Sequence, residues 1–232
     1  KIVGNEDKFN LEAGNVFVSG KLSGRLTIVA KNNIYITYDD PTNWKKPIYH
    51  EGISYPNQKD DYGITYANTK FNHVDNNNIC ERTADGEDML GLIANNNVLI
   101  LHYGWPRDGS NGKPYWDKER VFLIPRKFDV APKDIKINAA IFAIKGGFGY
   151  EGYSKGGKRG DIQLWGSIIQ NERLPVGKNR DYLIFNIDSG YNKKYFHDPR
   201  MSNIAPPHFL EPKNLGWQIV EWQEVPLDNG GN

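Results

Sequence analysis

Gly14-Asn-Val-Phe-Val-Ser-Gly-Lys-Leu-Ser-Gly-Arg-Leu-Thr-Ile-Val-Ala30 is the stretch on which the fold turns. Val16, Val18, Gly20, Leu22, Gly24, Leu26, Ile28 and Ala30 fall on alternate positions without a break, while Phe17, Ser19, Lys21, Ser23, Arg25 and Thr27 form a mostly polar intervening row. A period of two means extended backbone with one buried and one wet face. The run is far longer than an ordinary strand of about 5–6 residues, so Gly20 and Gly24 are predicted to be bends where the chain changes direction.

Working outward, Leu26-Thr-Ile-Val-Ala-Lys-Asn-Asn-Ile-Tyr-Ile36 aligns with Leu90-Gly-Leu-Ile-Ala-Asn-Asn-Asn-Val-Leu-Ile100 at an offset of 64 positions. Each reads as a strand, a tight corner containing Asn-Asn, and a second strand. Asparagine suits such corners because it tolerates left-handed backbone and its side chain can hydrogen-bond the turn. Ile135–Ile144 repeats the pattern loosely and leads into Gly146-Gly147, and Ile162, Leu164, Gly166 and Ile168 alternate again. Short strands, Asn or Gly corners and a degenerate repeat predict an all-β fold, specifically a right-handed parallel β-solenoid (β-helix) in which each coil stacks on the last. An ordinary β-sandwich is the alternative. No confident helix is predicted, although Glu81–Asn95 has room for a turn or two.

The whole chain, 1–232, reads as a single domain. Two long loops are expected to be inserted between coils, at 38–88 and 102–134, because loops of this length in compact domains are functional or independently structured. Residues 178–225, rich in polar, aromatic and proline residues, read as a C-terminal cap, and 226–232 as a flexible tail. His197-Asp198-Pro199-Arg200 reads as a capped turn serving as a structural lock.

Composition narrows the function classes. The 232 residues include 24 Gly and 13 Pro, with 38% hydrophobic and 25% charged residues, enough apolar content for a core. A net charge of +1 disfavours a globally basic nucleic-acid binder or an acidic tail. Cys80 is the sole cysteine, which excludes an intramolecular disulfide and a Cys-based zinc site. No apolar run approaches the roughly 20 residues that span a bilayer. The chain starts at Lys1, read as a mature or trimmed fragment whose upstream segment is the only route to a membrane.

Motif chemistry is sparse. His50, His73, His102, His197 and His208 lie far apart without metal-ligand spacing, so no metal and no cofactor are expected. Gly146-Gly147-x-Gly149 lacks the following helix of a phosphate cradle. Asp39-Asp40, Asp60-Asp61, Asp85 and Glu87-Asp88 fall in loops and form neither a calcium loop nor a catalytic pair. No catalytic residues are assigned. The candidate ligand-binding residues are rings beside cations in the two loops: Trp44 with Lys45 and Lys46, Tyr103 with Trp105 and Arg107, and Tyr115 with Trp116. Such pairs stack on sugars or unpaired bases while the cation meets an anion.

Taken in order, Gly91–Val98 (GLIANNNV), Ile137–Phe148 (INAAIFAIKGGF), Gly166–Gly177 (GSIIQNERLPVG), Gly190–Met201 (GYNKKYFHDPRM), Pro206–Phe209 (PPHF) and Trp217–Glu224 (WQIVEWQE) resemble a largely uncharacterised bacterial β-solenoid domain family attached to type IV pilin-like, minor-pilin stems. The resemblance spans about Gly14 to Glu224. One departure is Leu174, where the family has glycine after the arginine. The resemblance implies an extracellular, cell-surface module of a type IV pilus or similar filament, separated here from its hydrophobic stem. Its partners would be other filament subunits, with DNA or glycan as ligand. It supplies no catalytic residues. The alternative function is a carbohydrate-active enzyme, a lyase or hydrolase, on a β-helix scaffold; a subunit whose ends stack on identical copies is a third reading.

Overall fold

The computed structural model describes residues 11–37, 63–76, 79–104, 128–129, 131–154, 157–178 and 189–210. Within them the protein is all-β, with two short 3-10 turns at Leu11–Ala13 and Pro199–Ser202. The opening stretch is three strands: β1 (Val16–Val18), β2 (Gly20–Leu22) and β3 (Arg25–Ala30). The bends fall at the expected glycines, with φ of +111° at Gly20 and +97° at Gly24, values that a Cβ disfavours.

After the Lys31–Asn33 corner come β4 (Ile34–Ile36), β5 (Gly63–Tyr66), the hairpin β6 (Lys70–Asn76) and β7 (Ile79–Asp85), β8 (Met89–Ala94) and β9 (Val98–Ile100). Then follow β10 (Tyr103–Gly104), β11 (Phe128–Asp129), β12 (Ile135–Ala143), β13 (Phe148–Tyr150), β14 (Lys158–Gln170), β15 (Gly177–Lys178) and β16 (Ser189–His197).

The sheets are mixed, and parallel pairing dominates. One sheet runs β1-β4-β9-β13, every pair parallel. In the eight-stranded sheet β2, β5, β12, β14 and β16 are parallel neighbours, and β3 joins through β8 to β12. The offset of 64 is a register: Leu26 lies beside Leu90, Ile28 beside Leu92, and Ile34 beside Val98. Antiparallel pairs occur at β6–β7, β10–β11 and β15–β16.

In-register rows make the core. Ile28, Leu92, Ile141 and Ile168 follow one another across four strands, and Leu92 and Ile141 are wholly buried. Full burial of such a side chain is worth about 1.5–3 kcal/mol. At the corners asparagines form a ladder: Asn33 N donates to Asn15 Oδ1 (3.0 Å), Asn97 N to Asn33 Oδ1 (3.0 Å), and Gly147 N to Asn97 Oδ1 (3.0 Å). Asn96 Nδ2 also donates to Asn32 Oδ1 at 2.5 Å. Each carboxamide satisfies a backbone amide of the next corner, which explains the repeated Asn-Asn.

Three sequence expectations are corrected. Residues 38–88 are not wholly an insertion, because β5 belongs to the large sheet and 70–85 form a hairpin. Glu81–Asn95 holds the end of β7 and all of β8 rather than a helical turn, and Met89–Ala94 has parallel partners on both sides. The region read as a cap, 178–225, contains β16, which extends the sheet alongside β14. Beyond it, residues up to Leu210 run back across the outer face to the first strands: Arg25 Nη2 donates to Ala205 O (2.6 Å), Thr27 Oγ1 donates to Pro207 O, and buried Phe209 lies over Gly91. Of the second loop, 102–134, the described parts are its two ends, including the short β10–β11 pair.

Asp88 secures the approach to β8. Its carboxylate accepts from Gly24 N (2.6 Å), Asn68 N (2.5 Å) and Asn68 Nδ2 (3.5 Å), and its own N–H donates to Thr69 Oγ1 (3.1 Å). Burial favours the neutral acid, but the amides of Gly24 and Asn68, with the Asn68 and Thr69 side chains, outweigh it and hold Asp88 below the ordinary carboxylate range. A depressed folded-state pKa gives stability that is present above the unfolded value near 3.9 and lost as pH falls through the folded value. Urea midpoints measured from pH 6 down to pH 2 are therefore expected to fall more steeply for the native chain than for Asp88→Asn. Parallel curves would refute this role.

A candidate ligand cleft beside an aromatic stack

The outward residues of the large sheet build the site. Asn138, Trp165 and Phe196 share one row, and Lys136, Gln163 and Lys194 share the next. Trp165 and Phe196, register partners on β14 and β16, stack with ring centroids 4.7 Å apart at 24°. From the hairpin, Phe71 stacks on Trp165 at 4.7 Å and 17°, and His73 leans on Phe196 at 4.9 Å and 53°. Phe71 and His73 are two apart on β6 and so point to the same side. The hairpin is thus seated on the sheet by rings, with Trp165 sandwiched and buried. Each such ring pair adds about 0.5–1.5 kcal/mol beyond its buried area.

Arg200 fixes the other end of the stack. Its guanidinium lies 5.5 Å from the Phe71 centroid and 5.7 Å from that of Tyr66. It pairs with wholly buried Asp198 through Nε to Oδ1 (3.0 Å) and Nη2 to Oδ2 (2.6 Å), while Nη1 donates to Gly86 O at 2.7 Å, just past the hairpin. Asp198 also accepts from Arg200 N at 3.0 Å, capping the 3-10 turn. The structural lock expected at 197–200 is this pair. Tyr66, whose hydroxyl accepts from Leu90 N at 2.9 Å, is pushed above its ordinary pKa chiefly by burial.

Between hairpin and sheet lies a cleft of about 590 Å³, lined by Phe71, Asn72, His73, Thr83, Gln163, Trp165 and Phe196. The lining combines three aromatic residues with amide, imidazole and hydroxyl residues, and among the described residues it contains no carboxylate, lysine or arginine. Gln163 is flanked in register by Lys136 and Lys194. Lys194 is bound to Asp161 at 2.7 Å; the hydrogen bond from Lys194 draws Asp161 below its ordinary range, and Asp161 in turn raises Lys194.

A second surface lies on the adjoining part of the sheet. Val29, Ile93, Phe142 and Ile169 stand in register on four neighbouring strands, all pointing outward. Val29 is 66% exposed and Ile169 43% exposed. The returning segment covers the row beside them, at Thr27 and Gly91, while in this row Ile93 and Phe142 are half-buried.

Of the residues singled out in the sequence, Trp44, Lys45, Lys46, Trp105, Arg107, Tyr115 and Trp116 lie outside the described residues. Tyr103 opens β10 opposite Asp129, and its side chain is likewise outside the description. The cleft residues were missed by the sequence reading. Gln163 and Trp165 were visible as outward members of the run alternating with Ile162 and Leu164, but nothing local joins position 165 to 71 or 196. Among the described residues no group of three or more His, Cys, Asp or Glu is placed to hold a metal, and no helix is long and apolar enough to cross a membrane. No family model, curated protein or solved structure matches the chain.

Proposed function

We propose that the chain is a non-enzymatic module of an extracellular filament of the type IV pilus kind, built as a right-handed β-solenoid that presents binding surfaces along its flank. The solenoid reading is supported by parallel rows that step from coil to coil through asparagine corners. The observation that carries the filament reading is the outward apolar row Val29, Ile93, Phe142 and Ile169, exposed at Val29 and Ile169 and half-buried between them. A contiguous exposed apolar patch marks an interaction surface, and a subunit of an assembly needs such a face toward its neighbour. Contact is the chemistry that the described lining supports, since its residues are aromatic, amide, imidazole and hydroxyl, whereas glycoside cleavage takes a pair of carboxylates.

The test is mass spectrometry of filaments sheared from the source cells, with a photo-crosslinking amino acid at position 169. Recovery of the chain in the filament fraction, crosslinked to a filament subunit through position 169, is the expected result. Its presence only in the medium or envelope would overturn the filament reading.

A further inference from the structure

We propose that the cleft between the β6–β7 hairpin and the β14–β16 strands binds a neutral saccharide. This deepens the reading of the chain as a binding module and rests on it. The argument is chemical complementarity. A pyranose offers apolar C–H surface interleaved with hydroxyls that both donate and accept. The cleft offers the aromatic wall of Phe71, Trp165 and Phe196 beside Gln163 and His73. An amide side chain both donates and accepts, matching a hydroxyl pair. The volume falls inside the range of small-molecule sites, on the order of 300–1,000 Å³.

Charge decides against a nucleic acid here. Binding of single strands relies on cations along the backbone as well as stacking. Among the described residues the lining carries no cation, and Lys194, next to Gln163, is tied to Asp161. The Trp165 ring is sandwiched between Phe71 and Phe196. The same sandwich makes the wall rigid. Phe71 is held by Trp165 and by Arg200, and Phe196 by Trp165 and His73, so little order has to be gained on binding.

The test uses the full chain and its tryptophan indole N–H resonances in ¹H–¹⁵N spectra, with Trp165 assigned by its loss in Trp165→Phe. Cellobiose, maltose, lactose and N,N′-diacetylchitobiose are titrated to millimolar concentration, alongside digalacturonate and a twelve-residue oligothymidylate. At least one neutral disaccharide is expected to shift the Trp165 resonance saturably. Gln163→Leu is expected to weaken that binding about tenfold, the loss of one or two hydrogen bonds at unchanged fold. Asn72→Ala, at an exposed hairpin residue, is a second variant that keeps the fold intact. A response confined to digalacturonate or to the oligothymidylate, no saturable response to any neutral disaccharide, or equal affinity in the native chain and both variants would overturn the assignment. If no sugar binds while the chain is still recovered in filaments, the saccharide cleft fails and the filament reading stands. Sugar binding by a chain absent from filaments gives the converse.

Discussion

Asp198→Ala is expected to cost about 3–5 kcal/mol of folding stability, the range for breaking a buried ion pair by removing one partner. Asp198 is wholly buried, and Arg200 is 10% exposed in its side chain. Without the carboxylate the guanidinium keeps Gly86 O, Thr69 Oγ1 and the ring faces of Tyr66 and Phe71, but loses both charge-assisted bonds. The 3-10 turn also loses its cap, worth about 1 kcal/mol on its own. Because Arg200 ties β16 to the end of the hairpin, the damage should be directional. Amide exchange across 70–85 is expected to accelerate more than exchange across 34–36 or 98–100. Chemical denaturation gives the total and hydrogen exchange gives the distribution. A urea midpoint within error of the native value, or uniform acceleration, would show that the pair is not the fastening of the hairpin. Replacing both Asp198 and Arg200 by apolar residues is expected to recover part of the loss, since no charge is then stranded.

This dependence on a distant partner explains what the sequence could and could not disclose. The alternation from Val16 to Ala30 is a local signal, and so are the glycine bends and the Asn-Asn corners; each survived as written because backbone geometry alone sets it. The offset of 64 became a register because two copies of one pattern pair side by side. The cleft had no such signature. It is assembled from β6, β7, β14 and β16, brought together across sequence separations of about eighty residues or more between hairpin and sheet. Its rings looked like ordinary outward members of strands. β5 was read as loop because its four residues, Gly63–Tyr66, are too short to show alternation, and its partners lie more than forty residues away on either side. The ring-and-cation pairs at Trp44, Trp105 and Trp116 drew the sequence reading because a ring next to a cation is a local signal, whereas the cleft residues are joined only by the fold.

Ile141→Ala is expected to cost about 2–5 kcal/mol, whereas Ile169→Ser is expected to fall within about 0.5 kcal/mol of the native chain. The contrast follows from the register. Ile141 is wholly buried between Leu92 on one side and Ile168 on the other, so shortening it opens a cavity in the row. Ile169, one position beyond Ile168 on the same strand, is 43% exposed and faces away from the core. Side chains alternate with period two, so a one-residue slip of β14 against β12 would exchange the roles of the two faces. Urea denaturation of the two variants therefore tests the pairing of Ile141 with Ile168, and with it the stacked rows on which both proposed surfaces depend. If Ile169→Ser proved the costly substitution and Ile141→Ala the mild one, the parallel register would be wrong by one residue. The outward row Val29, Ile93, Phe142 and Ile169 would then be core rather than surface. The expected order leaves that row outside, with Ile169→Ser removing an apolar side chain from the exposed face while the fold is retained.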